Sequence, residues 1–122
     1  MNKQTVDKWI PDAYGIIEKL GILKDGKLDK GYRQQLSAFG AAISMGSLLS
    51  AISFFSQQGG SEFERPKLME AILKLVDPEK TQKILFDYAQ THKDTAKENI
   101  LNATIALKLA MNLFPWKEDN DV

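Results

Sequence analysis

The hydrophobic pattern of this chain is dominated by one stretch, 36–55, that has no charged side chain. It reads LSAFGAAISMGSLLSAISFF, and no Asp, Glu, Lys or Arg occurs between Arg33 and Glu62, although charged residues make up 26% of the sequence. We expect such a stretch to lie away from water, in a helical bundle or in a membrane, since about 20 apolar residues suffice to cross a bilayer. Its many serines and its glycines favour the bundle. The sequence leaves open whether Gly46 divides the stretch into two helices.

The rest of the N-terminal half has the periodicity of amphipathic helices. In the first helix, apolar residues recur at steps of three and four, which is one helical stripe: Val6, Trp9, Ile10, Ala13, Ile16, Ile17 and Leu20. Gly21 is a suitable C-terminal stop, and Pro11 either kinks this helix or stands in its first turn. Polar loops are predicted at 24–31 and 57–64, and Pro66 opens the next helix.

The C-terminal half predicts two further helices. Asp77 and Pro78 have the order of an N-cap and a first-turn proline, so a helix is expected directly after them. Thr95 and Glu98 have the spacing of a capping box at the start of the last helix. This helix carries two apolar stripes: Ile100, Ala103, Leu107, Met111 and Phe114 in one, and Leu101, Ile105 and Leu109 in the other.

A helix with so little polar surface is expected at the centre of a bundle. No stretch alternates clearly enough to predict a strand. We therefore predict a single all-α domain, 1–116, a compact bundle of five to seven helices around a central hydrophobic C-terminal helix. Pro115 is expected to end that helix, and 117–122 to form an acidic, mobile tail.

Composition and motifs argue against an enzyme. The 122 residues have a formal net charge of zero and no cysteine, which excludes disulfides, thiolate zinc sites and a thiol nucleophile. His92 is the only histidine, and the acidic pairs Glu62/Glu64 and Asp119/Asp121 have no second cluster that would complete a two-carboxylate site. We predict no catalytic residues, no cofactor and no metal. The lack of cysteine and of a signal-peptide pattern favours a cytoplasmic protein.

Pairs of lysines give the one positive signal for binding. Lys67 and Lys74 share a helix face, as do Lys97 and Lys108, and Lys80 and Lys83 would be neighbours on a helix surface. Glu70 is placed to pair with Lys74, so ordinary solvated lysines remain the alternative. If these cations bind nucleic acid, they would contact phosphates rather than bases, and binding would weaken with salt.

Several residues resemble a known family, the small α-helical subunit of the type III-B CRISPR effector, or Cmr complex. The similar features are an Ala13-Tyr14 pair in the first helix, Tyr32-Arg33 at the entry to the apolar stretch, the aromatic-ended 46–55 and the long last helix, 100–114. The family has an Asn-Gly-Leu turn where this chain has Gly46-Ser47-Leu48, without the asparagine.

The resemblance implies a binding protein without catalysis. Such subunits stack in several copies along the backbone subunits of the complex and help hold the guide–target RNA in antiviral defence. Arg33 and then Lys108 are the best candidates for RNA contact, because both lie in matching segments. Lys74, Lys80 and Lys83 rest on helical geometry alone. The implied partners are other Cmr subunits, further copies of this chain, and guide and target RNA, without a membrane or a small-molecule substrate.

Two other classes of function remain open from the sequence. One is a helical protein–protein adaptor unrelated to RNA defence, with Trp9 or Trp116 as exposed anchors. The other is a membrane-active helical hairpin formed by 36–55.

Overall fold

Six α-helices and no β-strand occur in residues 1–118, the part of the chain that the computed structural model describes. The helices are α1 Lys3–Leu20, α2 Lys30–Met45, α3 Leu48–Phe55, α4 Arg65–Val76, α5 Leu85–Thr91 and α6 Ala96–Met111. The predicted all-α bundle is confirmed. Within this range, no helix is both long enough and apolar enough to cross a membrane.

Helix α6 lies at the centre of the bundle and packs against α1, α2, α4 and α5. Small residues let those neighbours approach closely, and the buried set is Ala96, Ile100, Asn102, Ala103, Thr104, Ala106, Leu107, Ala110 and Met111. The first predicted stripe is therefore core. The second is not fully enclosed, because Leu101 and Ile105 are half-buried and Leu109 is 40% exposed.

The uncharged stretch forms two helices, which settles the question that the sequence left open. Helix α2 ends at Met45, Gly46 at its C-cap has a non-helical conformation, and Ser47 becomes the N-cap of α3. Phe39 and Phe55 join the two helices, with their rings edge to face at 5.3 Å. The core residues of the stretch are Leu36, Phe39, Ile43, Ala51, Ile52 and Phe55.

The other side of these two helices is exposed, so the expectation that the whole stretch is hidden from water is wrong. A helix packed on one side keeps its opposite face in solvent, whatever residues that face carries. We call this surface the uncharged face. It consists of Ser37, Ala38, Ala41, Ser44, Met45, Ser50, Ser53 and Phe54.

Helix α1 begins at Lys3, eight residues before Pro11, which rules out a late start at the proline. Asn2 is its N-cap, and the Asn2 side chain accepts a hydrogen bond from the Thr5 N–H. The helix ends at Gly21, whose φ of 84° is in the left-handed region that favours glycine. The predicted C-terminal stop is confirmed.

The helix predicted after Asp77 and Pro78 is present, but its expected start is wrong, because 77–84 is a loop and α5 starts at Leu85. The Asp77 carboxylate caps this loop: it accepts a hydrogen bond from the Thr81 hydroxyl and another from the Gln82 N–H, both at 2.7 Å. Lys80 has a φ of 59°, outside the helical region. The Asp77 carboxylate thus accepts hydrogen bonds from nearby donors, as an N-cap does, but the chain that follows forms a loop instead of a helix.

Two expectations about α6 also need correction. Thr95 is its N-cap residue, but its side chain makes no capping hydrogen bond, so the capping box is not formed. The helix ends at Met111, before Pro115, and the chain then returns to the loop ahead of α2. There Leu28 N donates to Pro115 O and Lys117 N donates to Leu28 O. Lys117 is therefore attached to the bundle, and the rest of the predicted mobile tail, 119–122, lies outside the described residues.

The Asp77 loop predicts an acid-sensitive contribution to stability. Burial alone would raise the pKa of the Asp77 carboxyl, but the hydrogen bonds from Thr81 and Gln82 outweigh it, and the pKa is lowered. This stabilisation is present above the unfolded pKa and is lost as the pH falls through the lower folded pKa. We expect Asp77→Asn to reduce the free energy of unfolding by about 1–2 kcal/mol at neutral pH.

Thermal unfolding followed by circular dichroism at neutral and acidic pH measures this effect. The difference in Tm between wild type and Asp77→Asn should shrink as the pH is lowered. Asp12→Asn, at an exposed carboxylate of α1, is the control. A constant difference at all pH values would contradict the role given to the carboxylate.

Candidate nucleic-acid interface

A groove between α2 and α6 holds the two residues that the sequence ranks first, Arg33 and Lys108. It consists of two cavities that share Ser37, and we call it the α2–α6 groove. The first has a volume of about 410 Å³ and is lined by Lys30, Arg33, Gln34, Ser37, Asn112 and Trp116. The second, of about 240 Å³, is lined by Leu36, Ser37, Gly40, Ala41, Ser44, Leu101, Thr104, Ile105 and Lys108.

The sequence around the start of α2 explains why Lys30 and Arg33 are held in place. The Asp29 carboxylate caps α2 by accepting a hydrogen bond from the Gly31 N–H at 2.9 Å, which sets Lys30 and Arg33 on successive turns of the same helix. Gly31 must be glycine, because a Cβ at this position would overlap the ring of Phe63. The start of α2, which carries both cations, is therefore fixed against the bundle.

Helix α6 approaches the groove through small and apolar side chains. A Cβ placed on Gly40 of α2 would be only 3.9 Å from the Thr104 methyl group, so the two helices are close there. The Thr104 hydroxyl donates to the carbonyl oxygen of Ile100 within its own helix and needs no partner across the groove. Lys108 follows one turn later, on the same side as Leu101 and Ile105.

Arg33 and Lys108 have no acidic partner in the described part of the chain. The Arg33 Nε atom is buried without a hydrogen-bond partner. Among residues 1–118, the ion pairs within 4.0 Å include none between a carboxylate and Arg33 or Lys108. Burial lowers the pKa of the Lys108 amine, and the nearby positive charge of Arg33 lowers it further. The two positive charges line adjoining cavities of one groove and repel each other, an arrangement that a bound anion would stabilise.

The other three candidate lysines lie elsewhere. Lys74 forms an ion pair with Glu70 at 3.4 Å, the alternative that the i, i+4 spacing suggests. Lys80 and Lys83 are in the 77–84 loop, so the expectation that they are neighbours on a helix is wrong. Lys83 lines a separate cavity of about 320 Å³ whose other walls are mostly apolar. Neither cavity of the α2–α6 groove includes any of the three, and their contact with RNA stays a prediction.

Lys30, Asn112 and Trp116 belong to the groove, but the sequence-based argument did not predict any of them as a groove residue. Lys30 precedes Arg33 by three residues, so helical spacing alone could have identified it. Asn112 and Trp116 follow the end of α6, and their position depends on how 112–118 returns to Leu28, which periodicity does not reveal. Trp9 and Trp116 are both half-buried, so the expectation that they are exposed is wrong, while their role as adaptor anchors stays a prediction.

The described residues contain no cluster of three or more His, Asp or Glu side chains that could hold a metal ion. His92 is exposed at the end of α5, and its ring lies 4.6 Å from that of Tyr88. No family model, curated protein or solved structure matches this chain.

The unpaired cations predict that small anions stabilise the protein. At a phosphate concentration ten times its dissociation constant, binding would add about 1.4 kcal/mol and raise Tm by about 5 °C. In Lys108→Met, the rise of Tm with phosphate should be smaller than in wild type. The Tm of this variant in chloride should be equal to or above that of wild type, because a desolvated charge next to Arg33 is removed.

Differential scanning fluorimetry in phosphate and in chloride, at matched ionic strength, tests this expectation. Lys93→Met removes an exposed lysine outside the groove and is the matched control. An equal phosphate response in wild type and Lys108→Met would show that the groove is not where the anion binds.

Proposed function

We propose that this chain is the non-catalytic small subunit of a type III-B CRISPR effector complex and binds the phosphates of its RNA through the α2–α6 groove. The observation that carries the proposal is that Arg33 and Lys108 line one groove and that no carboxylate within residues 1–118 forms an ion pair with either of them. The resemblance to the Cmr small subunit singles out the same two residues on independent grounds.

Other residues of the resemblance have structural roles that suit a scaffold. Tyr14 stacks on Phe114 at 4.5 Å and thereby joins the first helix to the segment after the last one. Tyr32 is buried, its hydroxyl accepts a hydrogen bond from the Glu64 N–H at 3.4 Å, and burial raises its pKa. These aromatics support a fixed helical frame that presents Arg33 at its surface.

The zero net charge agrees with a subunit that packs against copies of itself and against backbone subunits. A strongly charged protein would be repelled by its own copies, whereas a local pair of cations still attracts phosphate. The uncharged face offers a large surface for such packing, because side chains there bring no like charges together. In this proposal, the groove binds RNA and the uncharged face contacts protein.

A helical adaptor is the second candidate, and the uncharged face is the observation that favours it. Met45 is 90% exposed and Phe54 59% exposed, large values for apolar side chains. Arg65 lies 5.0 Å from the centre of the Phe54 ring and leaves much of it in solvent. Association through this face alone would be independent of RNA and insensitive to salt.

Recovery of the tagged chain from its own host under native conditions decides between the two candidates. The RNA-defence proposal predicts several larger proteins and short RNAs that share a repeat-derived 5′ end. Recovery of one unrelated protein without RNA would support the adaptor and contradict the proposal.

Charge reversal in the groove tests the assigned residues. Arg33→Glu combined with Lys108→Glu should reduce RNA retention by the assembled complex by about tenfold or more at moderate salt, because two phosphate contacts become repulsive. The double variant Lys8→Glu/Lys93→Glu makes the same change of net charge at exposed sites and should retain RNA. Equal retention by both variants, measured by filter binding, would remove Arg33 and Lys108 from the interface.

A further inference from the structure

Trp116 occupies a fixed position at one end of the α2–α6 groove. The residues on both sides of it are paired with Leu28: Leu28 N donates to Pro115 O at 2.9 Å, and Lys117 N donates to Leu28 O at 2.8 Å. The Lys117 amine also lies 3.9 Å from an oxygen of the Asp29 carboxylate. The indole is half-buried against the core and lines the larger cavity. An aromatic ring held in this way loses little freedom when a ligand binds.

The larger cavity combines three kinds of group that recognise a nucleotide. Lys30 and Arg33 supply positive charge, Gln34 and Asn112 supply amide donors and acceptors, and Trp116 supplies an aromatic surface. Its volume of about 410 Å³ is within the range of roughly 300–1,000 Å³ that is usual for small-ligand sites.

Charges around the cavity favour an anionic ligand. The carboxylate next to Lys30 in sequence, Asp29, lies 3.9 Å from the Lys117 amine, which balances part of its negative charge. The adjoining cavity adds Lys108 beyond Ser37. A chain of phosphates could thus run from Lys30 past Arg33 to Lys108, with a base directed to the indole.

An unpaired base suits this arrangement better than a base pair. In an A-form duplex the faces of the bases are covered by their neighbours, and side chains mainly reach phosphates and 2′-hydroxyls. Aromatic side chains next to a cationic groove are typical of proteins that bind single strands, where each stacked base contributes about 1–3 kcal/mol.

We propose that the larger cavity of the α2–α6 groove holds one unpaired nucleotide of single-stranded RNA, with its base against Trp116 and its flanking phosphates on Arg33 and Lys108. The phosphate contacts rest on the proposed function, while the base subsite is an addition to it. The consequence is a preference for single-stranded over fully paired RNA.

Tryptophan fluorescence of the full-length chain gives a direct readout. The sequence has two tryptophans, so Trp9→Phe leaves Trp116 as the only indole. We expect single-stranded oligouridylate to quench Trp116 emission in this variant at low salt, and a blunt RNA duplex of equal length to leave the emission unchanged.

Affinity measured by fluorescence anisotropy of labelled RNA completes the test. Trp116→Leu should weaken single-strand binding by about tenfold, a value within the range for one stacked base, and Trp116→Phe should retain part of the affinity. Neither change should alter duplex binding. Circular dichroism and Tm of both variants verify that the fold is kept.

The outcomes separate the base subsite from the phosphate site. In one outcome, both RNAs bind equally, Trp116 emission is unchanged, and Arg33→Glu/Lys108→Glu abolishes the binding of both RNAs. The phosphate site is then supported and the base subsite is overturned. If Trp116→Phe and Trp116→Leu weaken single-strand and duplex binding alike, the indole serves only the fold, and the subsite is likewise overturned. If neither RNA binds at low salt, the subsite is overturned, whereas the proposed function is decided separately by RNA retention in the assembled complex.

Discussion

Helix α6 has neighbours on nearly every side, and the rest of the bundle is arranged around its burial. Its alanines allow α1, α2 and α4 to approach, and each of its buried polar groups has a partner. Asn102 accepts a hydrogen bond from the Asn2 N–H at 3.1 Å, and the Thr104 hydroxyl donates to Ile100 O at 2.8 Å. Buried polar groups without such partners would be costly. Lys108 is the exception to this rule, at the edge of α6 that faces the α2–α6 groove.

The repulsion between the positive charges of Arg33 and Lys108 is a local unfavourable interaction in an otherwise consistent bundle. Burial and mutual repulsion both disfavour the two charges, and among residues 1–118 no carboxylate pairs with either of them. Natural proteins often place such unfavourable features at binding sites, where the ligand supplies the missing interaction. The repulsion between Arg33 and Lys108 is the feature on which the proposed binding of RNA phosphates rests.

Sequence periodicity predicted the helical fold and the central last helix, because apolar spacing directly reflects which side of a helix is buried. It failed at the Asp77-Pro78 loop, where a cap and a proline are equally compatible with a turn. The candidate site was predicted only in part. Arg33 and Lys108 were named, but they are 75 positions apart in the sequence, and their proximity arises only when α2 packs on α6. Trp116 is placed in the groove by the backbone hydrogen bonds that its two neighbours form with Leu28. Hydrophobic spacing does not predict such hydrogen bonds.

The central claim is that Lys108 is a partly desolvated, uncompensated cation beside Arg33 that an RNA phosphate neutralises. NMR titration of lysine side-chain amines, with the Lys108 resonance assigned through Lys108→Met, measures this most directly. We expect the pKa of Lys108 to lie below the ordinary lysine value, to rise when Arg33→Met removes the neighbouring charge, and to rise in wild type when single-stranded RNA is added. A Lys108 pKa at the ordinary lysine value that does not respond to RNA would contradict this claim.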